Sequence, residues 1–132
     1  MKERSTSRLK SKILVIDDQP AVLDTMLYLL KRAGCEAVGA RTGAEGMQLA
    51  QAADFDLITL DIDLPDISGL ELCRQLKQNP HLRHIPVILV SGRLCEGNRQ
   101  CCAEFGAADY IVKPFDARVF VNRVFAQLKT AA

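Results

Sequence analysis

Short apolar runs alternate with amphipathic stretches five times along this chain. Ile13-Leu14-Val15-Ile16 is the first run, and it ends in Asp17-Asp18. Pro20 suits the first turn of a helix, and Leu23, Met26, Leu27 and Leu30 then recur at helical spacing up to Gly34, a C-terminal cap. Cys35 to Ala40 reads as a short strand of small apolar residues. Thr42-Gly43-Ala44-Glu45 fits a capping box ahead of a second helix that carries Met47, Leu49 and Ala50. Asp56-Leu57-Ile58-Thr59-Leu60-Asp61 is a strand ending in an acid, and Leu64-Pro65-Asp66-Ile67 is loop. Ser68-Gly69-Leu70-Glu71 matches a second capping box and leads a helix through Leu72 and Leu76, which Asn79-Pro80 stops.

Ile85-Pro86-Val87-Ile88-Leu89-Val90 has the continuous apolar character of a strand buried on both faces, with its proline near the start, where a strand tolerates one. Residues 96–105 form a weaker helical stretch. Tyr110-Ile111-Val112 is a short strand before Lys113-Pro114, and a last helix runs from Phe115 through Val119, Phe120, Val124 and Leu128. Buried strands alternating with amphipathic helices imply a parallel sheet covered on both faces. The right-handed crossover rule leaves few topologies for five such units. No internal repeat, linker or second domain is apparent, so residues 12–130 read as one domain.

A length of 132 residues suits one domain that buries roughly two-thirds of its unfolded surface without a disulfide or metal staple. The net charge of +1 hides a split. Residues 1–12 hold five basic groups against one acid, which leaves 12 basic and 15 acidic groups in the rest. Residues 1–11 therefore read as a basic, flexible tail, with no apolar segment that would make it a targeting signal. Such a tail adds at most a salt-sensitive, non-specific term to nucleic-acid binding, and the domain itself carries no basic excess for direct binding. No apolar run approaches the roughly 20 residues needed to cross a bilayer. The five cysteines, at 35, 73, 95, 101 and 102, are odd in number and lack a C-x-x-C spacing. They suit a reduced, cytoplasmic chain rather than a disulfide framework or a zinc site.

In an open parallel sheet, ligands bind beyond the carboxyl ends of the strands. Those ends carry Asp17-Asp18, Asp61, Ser91-Gly92 and Lys113-Pro114. Asp63 and Asp66 follow close behind Asp61, so much of the domain's acid lies at one edge. Three gathered carboxylates raise one another's pKa unless a cation intervenes, and oxygen-only ligands favour a hard ion such as Mg²⁺ (or Mn²⁺). A carboxylate that can attack, a metal, an ammonium and a hydroxyl together make a phosphoryl-transfer site.

These pieces are similar to the receiver domain of two-component response regulators. The resemblance rests on Ile16-Asp17-Asp18; on Asp56 through Asp61 with Leu64-Pro65 and Ser68-Gly69-Leu70-Glu71; on Pro86 through Gly92; and on Gly106-Ala107 with Asp109 through Phe115. It implies a flavodoxin-like, doubly wound (βα)5 fold of the α/β class, with strand order 2-1-3-4-5. It implies that Asp61 accepts phosphate from a sensor histidine kinase or a histidine phosphotransfer protein. Asp17, Asp18, Asp61 and the backbone carbonyl of Asp63 would hold Mg²⁺. Lys113 would pair with the phosphoryl group, Ser91 would bind it in the active state, and Tyr110 would be the aromatic switch. A cis peptide at Pro114 would aim Lys113 into the site. The last helix–strand–helix face would serve an output protein, a fused effector domain or a homodimer. Such a domain is not an enzyme beyond taking up and losing its own phosphate.

Three positions depart from the usual pattern. Asp63 is charged where the family is commonly uncharged, and Arg93 stands at a variable position; the resemblance places both beside the path of water to the acyl phosphate, where they would tune its lifetime. Ser91 replaces the more frequent Thr. Two other readings of the same residues exist. Asp61-Ile62-Asp63 also resembles the nucleophile motif of haloacid-dehalogenase-like phosphohydrolases, although those carry it on their first strand. A pseudo-receiver that interacts without phosphorylation is the other, although none of the key residues is missing.

Overall fold

The computed structural model describes residues 10–92 and 103–131. Five parallel strands form one sheet: β1 (Lys12–Ile16), β2 (Glu36–Ala40), β3 (Leu57–Asp61), β4 (Val87–Ser91) and β5 (Asp109–Val112). Their order is β2-β1-β3-β4-β5, as the resemblance to receiver domains implies. The helices are α1 (Pro20–Arg32), α2 (Gly43–Ala52), α3 (Gly69–Gln78) and α4 (Ala117–Ala131). Of the helix expected over 96–105, residues 103–105 are helical and the remainder lies outside the described residues, as does Arg93.

The period of two along each strand divides the apolar side chains between two cores. Leu14, Ile16, Ile58, Leu60, Val87 and Leu89 face α2 and α3, where Ala50, Leu72 and Leu76 meet them. Ile13, Val15, Leu57, Ile88, Val90 and Ile111 face α1 and α4, against Leu23, Met26, Leu30, Phe120 and Val124. Every residue of β3 and β4 is buried, which is why those runs are continuously apolar rather than alternating.

The ends of the elements follow local chemistry. Pro20 opens α1, and Gly34 follows its last turn with φ of +96°, a conformation that suits glycine. The strand expected to begin at Ile85 begins at Val87, because Pro86 has no N–H to donate and Ile85 N–H turns back to the Leu82 carbonyl at 3.0 Å. The last helix begins at Ala117 rather than Phe115. Asp116 caps it, its Oδ1 accepting N–H groups from Arg118 at 2.8 Å and Val119 at 3.3 Å.

The first capping box forms with a shift: Thr42 Oγ1 accepts from Glu45 N–H at 3.1 Å, and Glu45 Oε1 accepts from Arg41 N–H at 2.9 Å, one residue before the cap. The second forms by half. Ser68 Oγ accepts from Leu70 N–H at 3.2 Å, while Glu71 turns outward to Arg74 in an i,i+3 ion pair.

Thr59 puts a polar side chain in the middle of β3, away from the strand ends. It is fully buried and, among the described residues, its hydroxyl has no hydrogen-bond partner. A buried hydroxyl without a partner costs the desolvation it is never repaid. Thr59→Val keeps the shape and removes that cost. It is expected to raise the unfolding free energy by about 1 kcal/mol, measured by urea denaturation, and an unchanged or lowered midpoint would count against an unsatisfied hydroxyl.

Candidate functional site at the carboxyl ends of the strands

The strand order puts the ends of β1 and β3 side by side at the centre of the sheet, with β4 and β5 next to them. Asp17 leaves β1 and is anchored by its N–H to the Ala40 carbonyl at 3.0 Å. Ile62 N–H bonds the Val90 carbonyl at 3.2 Å, and Lys113 N–H bonds the Ser91 carbonyl at 2.7 Å. Each residue that follows a strand is thus still held by the neighbouring strand, so these loops start from fixed positions.

Asp17, Asp61 and Ser91 are buried, and Asp18 is half-buried. One carboxylate oxygen from each of Asp17, Asp18 and Asp61 lies within 4.8 Å of the others. The two buried acids share a local geometry. Asp17 Oδ1 accepts Gln19 N–H at 3.0 Å and Asp61 Oδ1 accepts Asp63 N–H at 3.2 Å, each a turn closed two residues on. Lys113 Nζ lies 2.8 Å from Asp17 Oδ2, 3.5 Å from Asp61 Oδ2 and 3.3 Å from Gln19 Oε1. The Lys113–Pro114 peptide bond is cis. Lys113 thus lies closer to Asp17 than to Asp61. Gln19, which both donates to Asp17 and accepts from Lys113, had no distinguishing mark in the sequence beyond its place after two acids.

Ser91 closes β4 opposite Val112 in the sheet register. Tyr110 is half-buried and packs with Phe105 and Ala107 at the edge of the α2/α3 core, on the side of β5 away from α4. Asp63 is exposed, and its backbone pairs with Ser68 in a single antiparallel bridge. Asp66 departs from the expected acidic edge. It does not join the cluster; its two oxygens accept N–H groups from Gly43 and Ala44, both at 2.9 Å, at the start of α2. A carboxylate there compensates the unpaired donors of a helix N-terminus.

The chemistry of these oxygens suits a hard divalent cation. Asp17 Oδ2 is buried with the Lys113 ammonium at 2.8 Å and, among the described residues, has no aligned hydrogen-bond donor; a carboxylate oxygen with spare lone pairs can also serve a cation. Burial, and then the Asp17 charge, push the Asp61 carboxyl up to about 6, although Lys113 and the Asp63 N–H pull it the other way.

The residues 13–125 match the family model of the response regulator receiver domain. The chain belongs to that family. Among curated relatives, this receiver domain is 35% identical over 121 residues to the alkaline phosphatase synthesis transcriptional regulatory protein PhoP of Bacillus subtilis, covering 92% of this chain and 50% of PhoP. It is 32% identical to the polar-differentiation response regulator DivK of Brucella ovis, covering 93% of this chain and all of DivK. The chain spans about half the length of several curated relatives it matches, PhoP among them. A CheY-like receiver domain protein from Methanospirillum hungatei superposes with a TM-score of 0.86 at 30% identity, covering 92% of this chain and 96% of that one. The signal receiver domain of a histidine kinase from Syntrophus aciditrophicus gives 0.83 at 32% identity, covering 91% of each. Receiver domains are signalling modules of two-component systems, not classical enzymes, and they generally bind Mg²⁺ at an acidic pocket.

The raised Asp61 value has a measurable consequence. An unfolded aspartate ionises near pH 3.9, so the folded protein of this receiver domain keeps its proton longer and loses stability as pH rises from about 4 to 6. In chelator, Asp61→Asn is expected to stabilise the fold by roughly 1–2 kcal/mol at pH 7 and by nothing near pH 4. Denaturation curves of both proteins at the two pH values check this; equal differences at both would remove Asp61 as the cause.

Proposed function

We propose that this receiver domain is a phosphorylation-driven switch in which Asp61 is the phosphoacceptor. The observation that carries the reading is the gathering of Asp17, Asp18 and Asp61 oxygens within 4.8 Å, with Lys113 Nζ 3.5 Å from Asp61 Oδ2. A sensor histidine kinase or a histidine phosphotransfer protein supplies the phosphoryl group. An Asp61 oxygen attacks phosphorus, the bond to the donor's imidazole nitrogen breaks, and the imidazole takes up a proton. The carboxylates of Asp17, Asp18 and Asp61 and the Asp63 carbonyl would hold Mg²⁺ or Mn²⁺. When bound, such an ion neutralises charge developing on the phosphoryl oxygens. Lys113 stabilises the same charge from the β5 side.

The acyl phosphate adds up to two negative charges and strong acceptors at the edge of the sheet. Lys113 and the Ser91 hydroxyl turn toward it, and Tyr110, the register partner of Leu89 on β5, follows Ser91 inward. Asp63 and Arg93 set how readily water reaches the acyl phosphate. The output surface is the face of β5 and α4, where Val119 is 44% exposed and a hollow of about 670 Å³ is lined by Tyr110, Phe115, Val119 and Arg123. An output protein, a fused effector domain or a second copy of the chain docks there. Among the described residues no helix is long and apolar enough to cross a membrane. On this reading the domain works in the cytoplasm, alongside the kinase that phosphorylates it. The phosphohydrolase reading of Asp61-x-Asp63 is not favoured, since the pair follows the third strand and the family match spans it.

Incubation with acetyl phosphate and Mg²⁺, followed by intact-mass measurement, tests the central claim. The wild type is expected to gain one phosphoryl group, and Asp61→Asn or addition of chelator to abolish the gain. A gain that survives in Asp61→Asn, or none in the wild type, would overturn it.

A further inference from the structure

The loop of residues 62–68, between β3 and α3, is tied to an element that contributes no acid to the pocket. Both carboxylate oxygens of Asp66 accept backbone N–H groups from α2, Gly43 to Oδ1 and Ala44 to Oδ2, each at 2.9 Å. Thr42 Oγ1 already caps that helix locally, through Glu45 N–H at 3.1 Å. The start of α2 therefore has a cap of its own and a second one reaching in from 22–23 residues along the chain. The two N–H groups also keep the Asp66 carboxyl below its ordinary range, so the tie is made by a carboxylate.

The approach is close on both sides. A Cβ at Gly43 would lie 2.3 Å from Ile67 Cγ2, so the first turn of α2 and the loop meet through a bare backbone. At the loop's other end, Gly69 N–H bonds the Ile62 carbonyl at 2.7 Å, and a Cβ at Gly69 would lie 2.2 Å from the Asp61 carbonyl oxygen. The Asp63–Ser68 bridge closes the stem. The connection from β2 to α2 thus braces the pocket twice. The Ala40 carbonyl takes Asp17 N–H at 3.0 Å, and three and four residues on, the N–H groups of Gly43 and Ala44 take Asp66.

We propose that Asp66 is a positioning residue for the acidic pocket: it latches the 62–68 loop to the first turn of α2 and so fixes the Asp63 backbone and the Asp61 carboxylate relative to Asp17. The inference rests on the reading of the pocket as a divalent-cation site. With the latch open, all three acids remain, but the loop keeps only its stem and the packing of Ile62, Leu64 and Ile67 on the core. A ligand atom on that loop is then less well placed, and cation affinity falls without loss of any carboxylate of the cluster.

Mn²⁺ titration, followed by the EPR signal of the free ion and repeated in competition with Mg²⁺, separates the possibilities. Asp66→Ala is expected to bind Mn²⁺ about three- to tenfold more weakly, below the roughly 10–100-fold loss on removing a direct partner of a metal ligand. Asp66→Asn should fall between, since its amide oxygen still accepts one of the two N–H groups. Thr42→Ala, which weakens the start of α2 without touching the loop, should lower the melting temperature and leave Mn²⁺ affinity at the wild-type value. Asp17→Asn, as the control on the pocket, should abolish binding. Wild-type affinity in Asp66→Ala, with binding lost in Asp17→Asn, would reduce Asp66 to a helix cap and leave the pocket reading standing. Equal weakening by Thr42→Ala would likewise overturn the latch. If Asp66→Ala does not fold, wild-type affinity in Asp66→Asn overturns it. No Mn²⁺ binding by the wild type would remove the pocket reading and this inference together.

Discussion

Two carboxylates, those of Asp17 and Asp61, are buried at the edge of an apolar sheet with, among the described residues, a single ammonium, Lys113, within reach of both. Most of the molecule serves to make that arrangement stand. Placing β1 and β3 side by side brings the two acids together, and β5, two strands away, must send Lys113 across the end of β4 to meet them. Continuous apolar strands with helices on both faces give the sheet enough buried surface to carry an unfavourable charge pair at its rim. The repulsion is not relieved by burial; it is made worse by it, since low dielectric strengthens like-charge interaction and removes hydration at once.

The pocket is also held open from behind. Asp17 Oδ1 and Asp61 Oδ1 are each committed to an N–H two residues on, which leaves the Oδ2 atoms turned toward Lys113. That division of labour would matter for a site that, on the proposed reading, takes both a cation and a phosphoryl group. One oxygen of each acid keeps the loop in shape while the other remains available, so occupancy changes need not unravel the loop. The glycine at position 69 serves the same end, since its bare Cα lets α3 start directly against the Asp61 carbonyl.

Most of this was legible in the sequence for an identifiable reason. The apolar runs that form β1, β3 and β4 are buried on both faces, and a run of that kind has no other comfortable home than a covered parallel sheet. Acids at the ends of β1 and β3 and a lysine after β5 then fall at one edge by topology alone. What could not be read were features decided by which of several available partners a side chain meets, near or far along the chain. Asp66 looks like one more acid of a cluster, and only the approach of α2 shows its charge spent elsewhere. Glu71 satisfies a capping-box spacing, yet Arg74 on the next turn takes it outward. Gln19 carries no motif, and its role depends on the reach of Lys113 from 94 residues away.

The position of Lys113 gives the proposed switch a physical basis. In the structure its ammonium leans to Asp17 at 2.8 Å, with Asp61 farther at 3.5 Å. On the proposed reading, a phosphoryl group on Asp61 would bring new negative charge within reach of that ammonium and compete with Asp17 for it. The gain is differential, because it is realised only when Lys113 and the Ser91 hydroxyl have moved. Two charge-assisted hydrogen bonds at roughly 1.5–3 kcal/mol each approach the roughly 5.5 kcal/mol that carries a two-state element from 1:99 to 99:1. Lys113 N–H is bonded to the Ser91 carbonyl, so the backbones of the two responding residues are joined already. A pull on one is transmitted to the other through the end of the sheet, not through the mobile reach of either side chain. The charge at Asp61 therefore acts on β4 and β5 as a unit, and β5 is the strand that carries Tyr110.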